Sequence, residues 1–236
     1  MRMNFLYYPL LVVLLLLGIA CNPDQSGPKV EMPAKIEDTE DEKPADFIEE
    51  LDERTGVQSP TVWHSPRMLI QQLGDLRNKT VANIGAGPYG YFSFQIADEA
   101  KKVIAIDIDP KAIRFIDSMR LQILPEALQK NLETRLVKPD NPKLRFEEAD
   151  VVTIRDTYAY LPNRIQYLKN LKKGIKDGGK LLIVDFKMRK LPIGPPQSEK
   201  VPLYQVERDL EKAGYKISLV DDKSFAYQYM LLAVKD

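Results

Sequence analysis

Residues 81–110 read VANIGAGPYGYFSFQIADEAKKVIAIDIDP, from Val81 to Pro110. Thr80 to Ile84 is a short apolar run that enters Gly85-Ala86-Gly87-Pro88-Tyr89-Gly90. A helical pattern follows, with Phe92 and Ile96 on one face. A second apolar run, Lys102 to Asp107, ends in an acid. Glycines at a strand-to-helix turn let the backbone bend tightly and approach a ligand, and the next helix begins there with its amides unpaired. A carboxylate about 20 residues on, at the end of the neighbouring strand, can accept both hydroxyls of a ribose. The stretch therefore predicts a nucleotide site of the adenosine type, built on a strand, a glycine loop, a helix and a second strand.

The flanking sequence repeats the alternation. Leu69, Ile70, Leu73 and Leu76 share a helical face after Pro66, and Ala112, Ile116, Met119 and Ile123 share another after Pro110. Leu132–Lys138 and Val151–Ile154 read as strands. Ile165, Leu168, Leu171 and Ile175 keep helical spacing as far as a turn at Gly178-Gly179. Leu181–Phe186 reads as a largely apolar strand. A last helix carries Leu203, Val206, Leu210 and Ala213, begins at Pro202 and stops at Gly214. Residues 215–221 and 227–235 are extended with no helix between them, so they should pair antiparallel. The expected fold is α/β, a doubly wound and mostly parallel seven-stranded sheet with an antiparallel C-terminal strand pair. Its ligand should lie at the carboxyl ends of the strands.

The quoted stretch, with the late segment KDGGKLLIVDFK, resembles the class I S-adenosylmethionine-dependent methyltransferases, in particular a bacterial branch with the pattern IGAGxGYFS and DIDP. The resemblance runs over roughly residues 60–236 and includes Trp63, the segment NLETRLVKPDNP and the segment DTYAYL. It implies a Rossmann-like methyltransferase fold and S-adenosylmethionine as cofactor. Gly85, Ala86 and Gly87 would pass beside the cofactor's methionine part, Asp107 would bind ribose, Asp140 would lie near the adenine pocket, and Asp156 would line the cleft floor. Three positions depart from the pattern. Asn83 stands where the family usually has an acid that helps hold the cofactor's amino-acid end. Tyr89 takes the place of the third glycine, and Ala159-Tyr160 that of a His pair.

Composition limits the chemistry. The 236 residues include one His and one Cys, which excludes intramolecular disulfides, His/Cys zinc sites and a Cys–His pair within one subunit. Lys and Arg total 34, as do Asp and Glu, so no global charge points to nucleic acid. Transfer of a methyl group from a sulfonium is an in-line displacement that draws much of its rate from proximity. A base is needed only where the acceptor must lose a proton, and Asp156, Tyr158 and Tyr160 are the candidates. His64 reads as a capping or packing residue. Lys187, Arg189 and Lys190 read as a solvated rim or as cations under a roof loop, and Phe225, Tyr227 and Tyr229 as core or cleft wall.

The N-terminus has a different character. Arg2 precedes an apolar run from Phe5 to Ala20, short for a membrane span and suited to a secretory signal, and Cys21 follows Gly18-Ile19-Ala20. This resembles a bacterial lipoprotein signal over residues 1–21, with Cys21 as the lipidated residue, although Leu17 lies four rather than three places before it. Residues 22–45 read as a disordered acidic linker and 46–236 as the methyltransferase-like domain. From 22 to 54 there are 12 acidic and 4 basic residues, which together with Arg2 leaves a net +7 for residues 55–236. The expected partners are a small-molecule or lipid-associated methyl acceptor and a membrane, through a lipid anchor in the cell envelope, with no nucleic acid. Without export the protein would be cytoplasmic. Export would separate the domain from a cofactor made inside the cell. Two alternatives therefore stand beside the methyltransferase: a non-catalytic lipoprotein binding module on a degenerate methyltransferase fold, and an NAD-dependent oxidoreductase with Asp107 on an unphosphorylated ribose.

Overall fold

The computed structural model describes residues 66–236. Cys21, the acidic linker, Trp63 and His64 lie outside the described residues. In chain order the elements are α1 (Pro66–Leu73), β1 (Thr80–Ile84), α2 (Tyr91–Ala97), β2 (Lys102–Asp107), α3 (Pro110–Ile123), the short α4 (Glu126–Gln129), β3 (Leu132–Leu136) and β4 (Ala149–Arg155). They continue with α5 (Arg164–Gly174), β5 (Ile175–Phe186), α6 (Leu203–Ala213), β6 (Lys216–Asp221) and β7 (Gln228–Val234).

The strands form one sheet in the order β3-β2-β1-β4-β5-β7-β6. β1 to β5 run parallel. β7 is antiparallel to both β5 and β6, so it enters the sheet between them. The terminal pair forms because residues 222–227 hold no helix that could carry the chain back for another parallel strand.

Alternate residues of each strand feed two apolar layers. Val81, Val103, Ala105, Val151, Leu182 and Val184 join α1, α2 and α3 on one face. Ala82, Ile104, Ile106, Val152, Ile154, Leu181 and Ile183 join α5 and α6 on the other. A sheet covered on both faces explains why its strands read as unbroken apolar runs. Helix boundaries follow local chemistry. Asp109 caps α3 by accepting the Lys111 amide at 2.8 Å, with Pro110 at the first helical position. Gly214, at φ +83°, closes α6 in the left-handed conformation.

One boundary differs from expectation. β5 begins at Ile175, at the end of α5, and Gly178-Gly179 lies within the strand instead of before it. The Gly178 amide donates to the Lys235 carbonyl, and the Lys235 amide donates to that of Gly179. Pairing with the chain terminus absorbs the turn as an irregularity of the strand, matched by a register shift between Ala149 and Val151 of β4.

Candidate functional site

β1, β2 and β4 end on the same edge of the sheet, and the site is assembled there. At the end of β1 the chain turns on Gly85 (φ +71°), whose amide donates to the Ile106 carbonyl at 2.9 Å. A Cβ on Gly85 would stand 2.1 Å from Thr157 Oγ1, so only glycine admits the crossing of this loop with the segment after β4. Gly87 (φ +77°) has nothing within 4 Å of where its Cβ would be, so the loop faces open space. Its amide donates to Asp107 Oδ2 at 2.8 Å, and the Asp109 amide donates to Asp107 Oδ1 at 2.9 Å. These two bonds orient the Asp107 carboxylate toward the loop and leave lone pairs for a ligand.

Above the loop is a hollow of about 260 Å³, lined by Gly85, Gly87, Asp107, Ile108, the Val137–Pro139 segment, Thr157, Tyr160 and Tyr167 among others. That is slightly below the ~300–1,000 Å³ usual for ligand pockets, and the walls are mainly apolar with a carboxylate at one side. Tyr89 does not enter it. Its ring packs edge-on against Phe115 of α3 at 5.5 Å, which carries the loop's extra residue outward.

The remaining residues singled out in the sequence divide between cleft and core. Asn83 is buried; its Nδ2 donates to Ser93 at 2.9 Å and its Oδ1 accepts from Thr153 at 2.9 Å, joining β1 to α2 and β4. Ala86 is buried behind the loop, and Asp140 is exposed one residue beyond the wall formed by Pro139. Tyr158 is fully buried and donates its hydroxyl to Asp209 of α6 at 2.9 Å; burial raises its pKa well above the usual phenol range. Tyr160 borders the hollow, is 58% exposed, and donates to Glu199 at 3.1 Å, so it links the cleft to the loop over residues 187–202.

Asp156 follows β4 at φ +52°, a backbone region that side-chain-bearing residues seldom adopt. It accepts a hydrogen bond from Gln228 Nε2, and burial raises its pKa. Two of the late cations bond to backbone near the β6–β7 connection. Lys187 donates to the Asp222 and Phe225 carbonyls and Arg189 to that of Ala226. Tyr229 and Phe225 are core residues and Tyr227 is half-buried.

Sequence reading missed two groups. Asp185 on β5 is 2% exposed; burial, followed by the neighbouring Asp156 charge, pushes its carboxyl up to about 6 against the lowering effect of amide hydrogen bonds. It accepts from the Phe186 amide at 2.7 Å and from the Ala159 amide at 3.2 Å, and so pins the Tyr158–Tyr160 turn. Arg155 ends β4 with its guanidinium carbon 4.8 Å from the Phe92 ring centre. The available signal was a charge at the end of an otherwise apolar strand, in LLIVDF and in VVTIRD.

Residues 83–181 match the family model of a methyltransferase domain, from β1 into β5. The fold is that of a class I methyltransferase. The chain is similar in structure to an S-adenosylmethionine-dependent methyltransferase of Aquifex aeolicus, with TM-score 0.69 and 21% identity over 83% of this chain and 100% of that one. It is also similar to one from Mesorhizobium loti, with TM-score 0.60 and 12% identity over 72% and 96% of the two chains. The [4+2]-cyclase SpnF matches with TM-score 0.62 and 13% identity, over 72% of this chain and 79% of that one. Its name shows that the methyltransferase fold also carries a reaction other than methyl transfer. No curated protein matches this chain. Among the described residues, no cluster of His, Cys, Asp and Glu could hold a metal ion.

Proposed function

We propose that the chain is an S-adenosylmethionine-dependent methyltransferase acting on a small or lipid-associated acceptor and tethered to a membrane through Cys21. The observation that carries the reading is the hollow beside Gly87 and Asp107, at the carboxyl ends of β1 and β2 in a methyltransferase sheet order. The residues present fit the nucleoside part of the cofactor. Gly85 and Gly87 form a cradle that a Cβ would fill or narrow, Asp107 keeps acceptor capacity for ribose hydroxyls, and Ile108 with Val137–Pro139 gives an apolar wall for a base. When bound, S-adenosylmethionine supplies an electrophilic methyl group on a sulfonium.

The chain's own contribution is binding, orientation and exclusion of water. Tyr160 and the loop over 187–202 stand at the mouth of the hollow, joined through Glu199. Asp156, next in the chain to Thr157 of the hollow's lining and with its side chain 28% accessible, is suited to accept a proton from an acceptor. Tyr158 has its hydroxyl committed to Asp209 and supports the turn from below.

Titration of the full-length protein with S-adenosylhomocysteine, S-adenosylmethionine and NAD tests this reading. Binding of the first two in the micromolar range is expected, and binding of NAD alone would overturn it. The tether rests on the signal-like N-terminus and on Cys21. Replacing Cys21 with Ala should release the protein from membranes and abolish incorporation of labelled fatty acid; a variant that stays membrane-bound removes the lipid anchor. Among the described residues no helix is long and apolar enough to cross a membrane.

A further inference from the structure

The strap between β5 and α6, residues 187–202, is fastened at its base. Lys200 is buried, and its Nζ donates to the Arg189 carbonyl at 3.0 Å, which draws the two ends of the strap together. The same Nζ stands 6.0 Å from the centre of the Phe186 ring. Gly194 (φ +83°) rests on that ring, where a Cβ would lie 2.4 Å from Phe186 Cε1. The Tyr229 hydroxyl donates to the Val201 carbonyl at 2.9 Å. Pro192, Pro195 and Pro196 fix their own φ angles, and a single turn of 3-10 helix follows at Gln197–Glu199. A surface segment of this length with joined ends and packing of its own is a compact loop of a kind that frequently carries function.

The turn Tyr158–Tyr160, which faces the strap, is held as firmly. Asp185 accepts the Ala159 amide at 3.2 Å, and the Tyr158 hydroxyl donates to buried Asp209 at 2.9 Å. The Tyr160 side chain leaves this turn largely exposed, lines the nucleoside hollow, and donates to Glu199 Oε2 at 3.1 Å. Glu199 is exposed and does not itself line the hollow. Tyr160 therefore stands between the two, with its side chain on the hollow and its hydroxyl on the strap.

These attachments differ in strength. The bonds of Lys200, Tyr229, Asp185 and Tyr158 are made by buried groups, and a buried polar group left unpaired suffers its full loss of hydration. The bond between Tyr160 and Glu199 lies in water, and when it breaks both groups bond to solvent instead. Two fixed supports joined by one weak bond make a latch. The turn and the base of the strap stay in place while the Tyr160 side chain swings.

We propose that Tyr160 is a gate on the hollow, held shut by Glu199 of the strap, and that it opens for the ligand to enter and to leave. The inference rests on the reading of the hollow as a nucleoside site. A closed gate blocks passage in both directions, so a latch that forms equally with and without ligand slows association and dissociation by one factor and leaves affinity unchanged. A residue that only touches the ligand acts on dissociation and on affinity instead. Closure over a bound ligand also keeps water out of the hollow, as a transfer between two bound groups requires.

Stopped-flow binding of S-adenosylhomocysteine to the full-length protein gives both rate constants for the wild type, Tyr160→Phe, Glu199→Ala and Glu199→Gln. Tyr160→Phe keeps the ring without its hydroxyl, and Glu199→Ala removes the acceptor. Each should raise both rate constants about fivefold and leave the dissociation constant within about twofold. Glu199→Gln keeps a carbonyl acceptor and should restore rates close to those of the wild type. Faster dissociation with weaker affinity makes Tyr160 a plain ligand contact and overturns the gate, as do unchanged rates. A second measurement needs no ligand. The Glu199 and Lys200 amides donate to the Pro196 and Gln197 carbonyls, and their hydrogen exchange should quicken about fivefold in Tyr160→Phe with the melting temperature unmoved. If the wild type does not bind S-adenosylhomocysteine, the methyltransferase reading falls and exchange alone decides the latch, which unchanged exchange overturns.

Discussion

The two ends of β4 carry similar residues in opposite states. At the amino end, Glu148 accepts from Arg135 at 2.9 Å on each oxygen and from Arg145 at 2.8 and 3.1 Å, and Arg135 also bonds to Glu133. Hydrogen bonds from Arg135 hold the Glu148 carboxyl down at about 2, despite its burial. Asp150 is similarly engaged by the Thr80 amide and Lys176, at 2.8 and 2.9 Å, and its pKa is lowered. At the carboxyl end, Arg155 and Gln228 each keep an atom with no hydrogen-bond partner among the described residues, and burial raises the pKa of both Asp156 and Asp185. At one end the charges are answered by neighbouring side chains and amides; at the other, two buried polar atoms lack a hydrogen-bond partner among the described residues. Completed networks stabilise a fold, and incomplete ones with raised carboxyl pKa values are found where ligands bind.

If that contrast is right, substitutions at the amino end should lower stability without touching ligand binding, and those at the carboxyl end should do the reverse. The largest effect is expected for Glu148→Ala, which strands Arg135 with one partner fewer and should lower the unfolding free energy by about 3 kcal/mol in chemical denaturation. Nucleoside affinity at saturating stability should stay within twofold; a loss of binding there would break the contrast.

Next is Asp107→Ala, which removes the proposed ribose acceptor and the bond from the Gly87 amide. S-adenosylhomocysteine affinity should fall about 100-fold by calorimetry, with only a small change in melting temperature. Gly85→Ala forces a Cβ against Thr157 at a positive φ, so it should cost about 2 kcal/mol in stability and also weaken binding, a mixed outcome that fits its place at the crossing of loop and strand.

The smallest expected effect concerns Asp185. Its carboxyl titrates higher in the folded chain than in the unfolded one, so the stability it contributes is full below about pH 4 and is lost as pH rises through about 6. Asp185→Asn should therefore flatten the stability profile between those values and gain on the order of 1 kcal/mol at pH 8. Glu148 has the opposite sign: its contribution is present above its ordinary pKa and is lost as pH falls toward 2. Parallel profiles for the two carboxyls would sink the comparison.

Much of the architecture could be read from residue order. The strand runs Thr80–Ile84 and Lys102–Asp107 are observed with the same bounds, because a buried parallel strand needs an unbroken apolar run and the glycine loop and Asp107 mark where each one ends. The start of β5 was misread because Ile175–Lys180 continues a helical spacing and contains two glycines, while its strand state depends on pairing with Lys235 at the far end of the chain. Within the site, Gly85, Gly87 and Asp107 were visible as a motif. The core placement of Tyr158 was not, since nothing local says that its hydroxyl reaches Asp209, 51 positions away.

By itself the order of residues determined the alternation of helix and strand, the antiparallel terminal pair and the nucleotide-type loop, because periodicity, glycine and proline act within a few bonds of where they stand. Only the tertiary structure decided which polar groups are left unpaired. Whether Arg155 Nη1 or Gln228 Oε1 finds a partner depends on side chains from distant strands and helices that meet only once the sheet has closed.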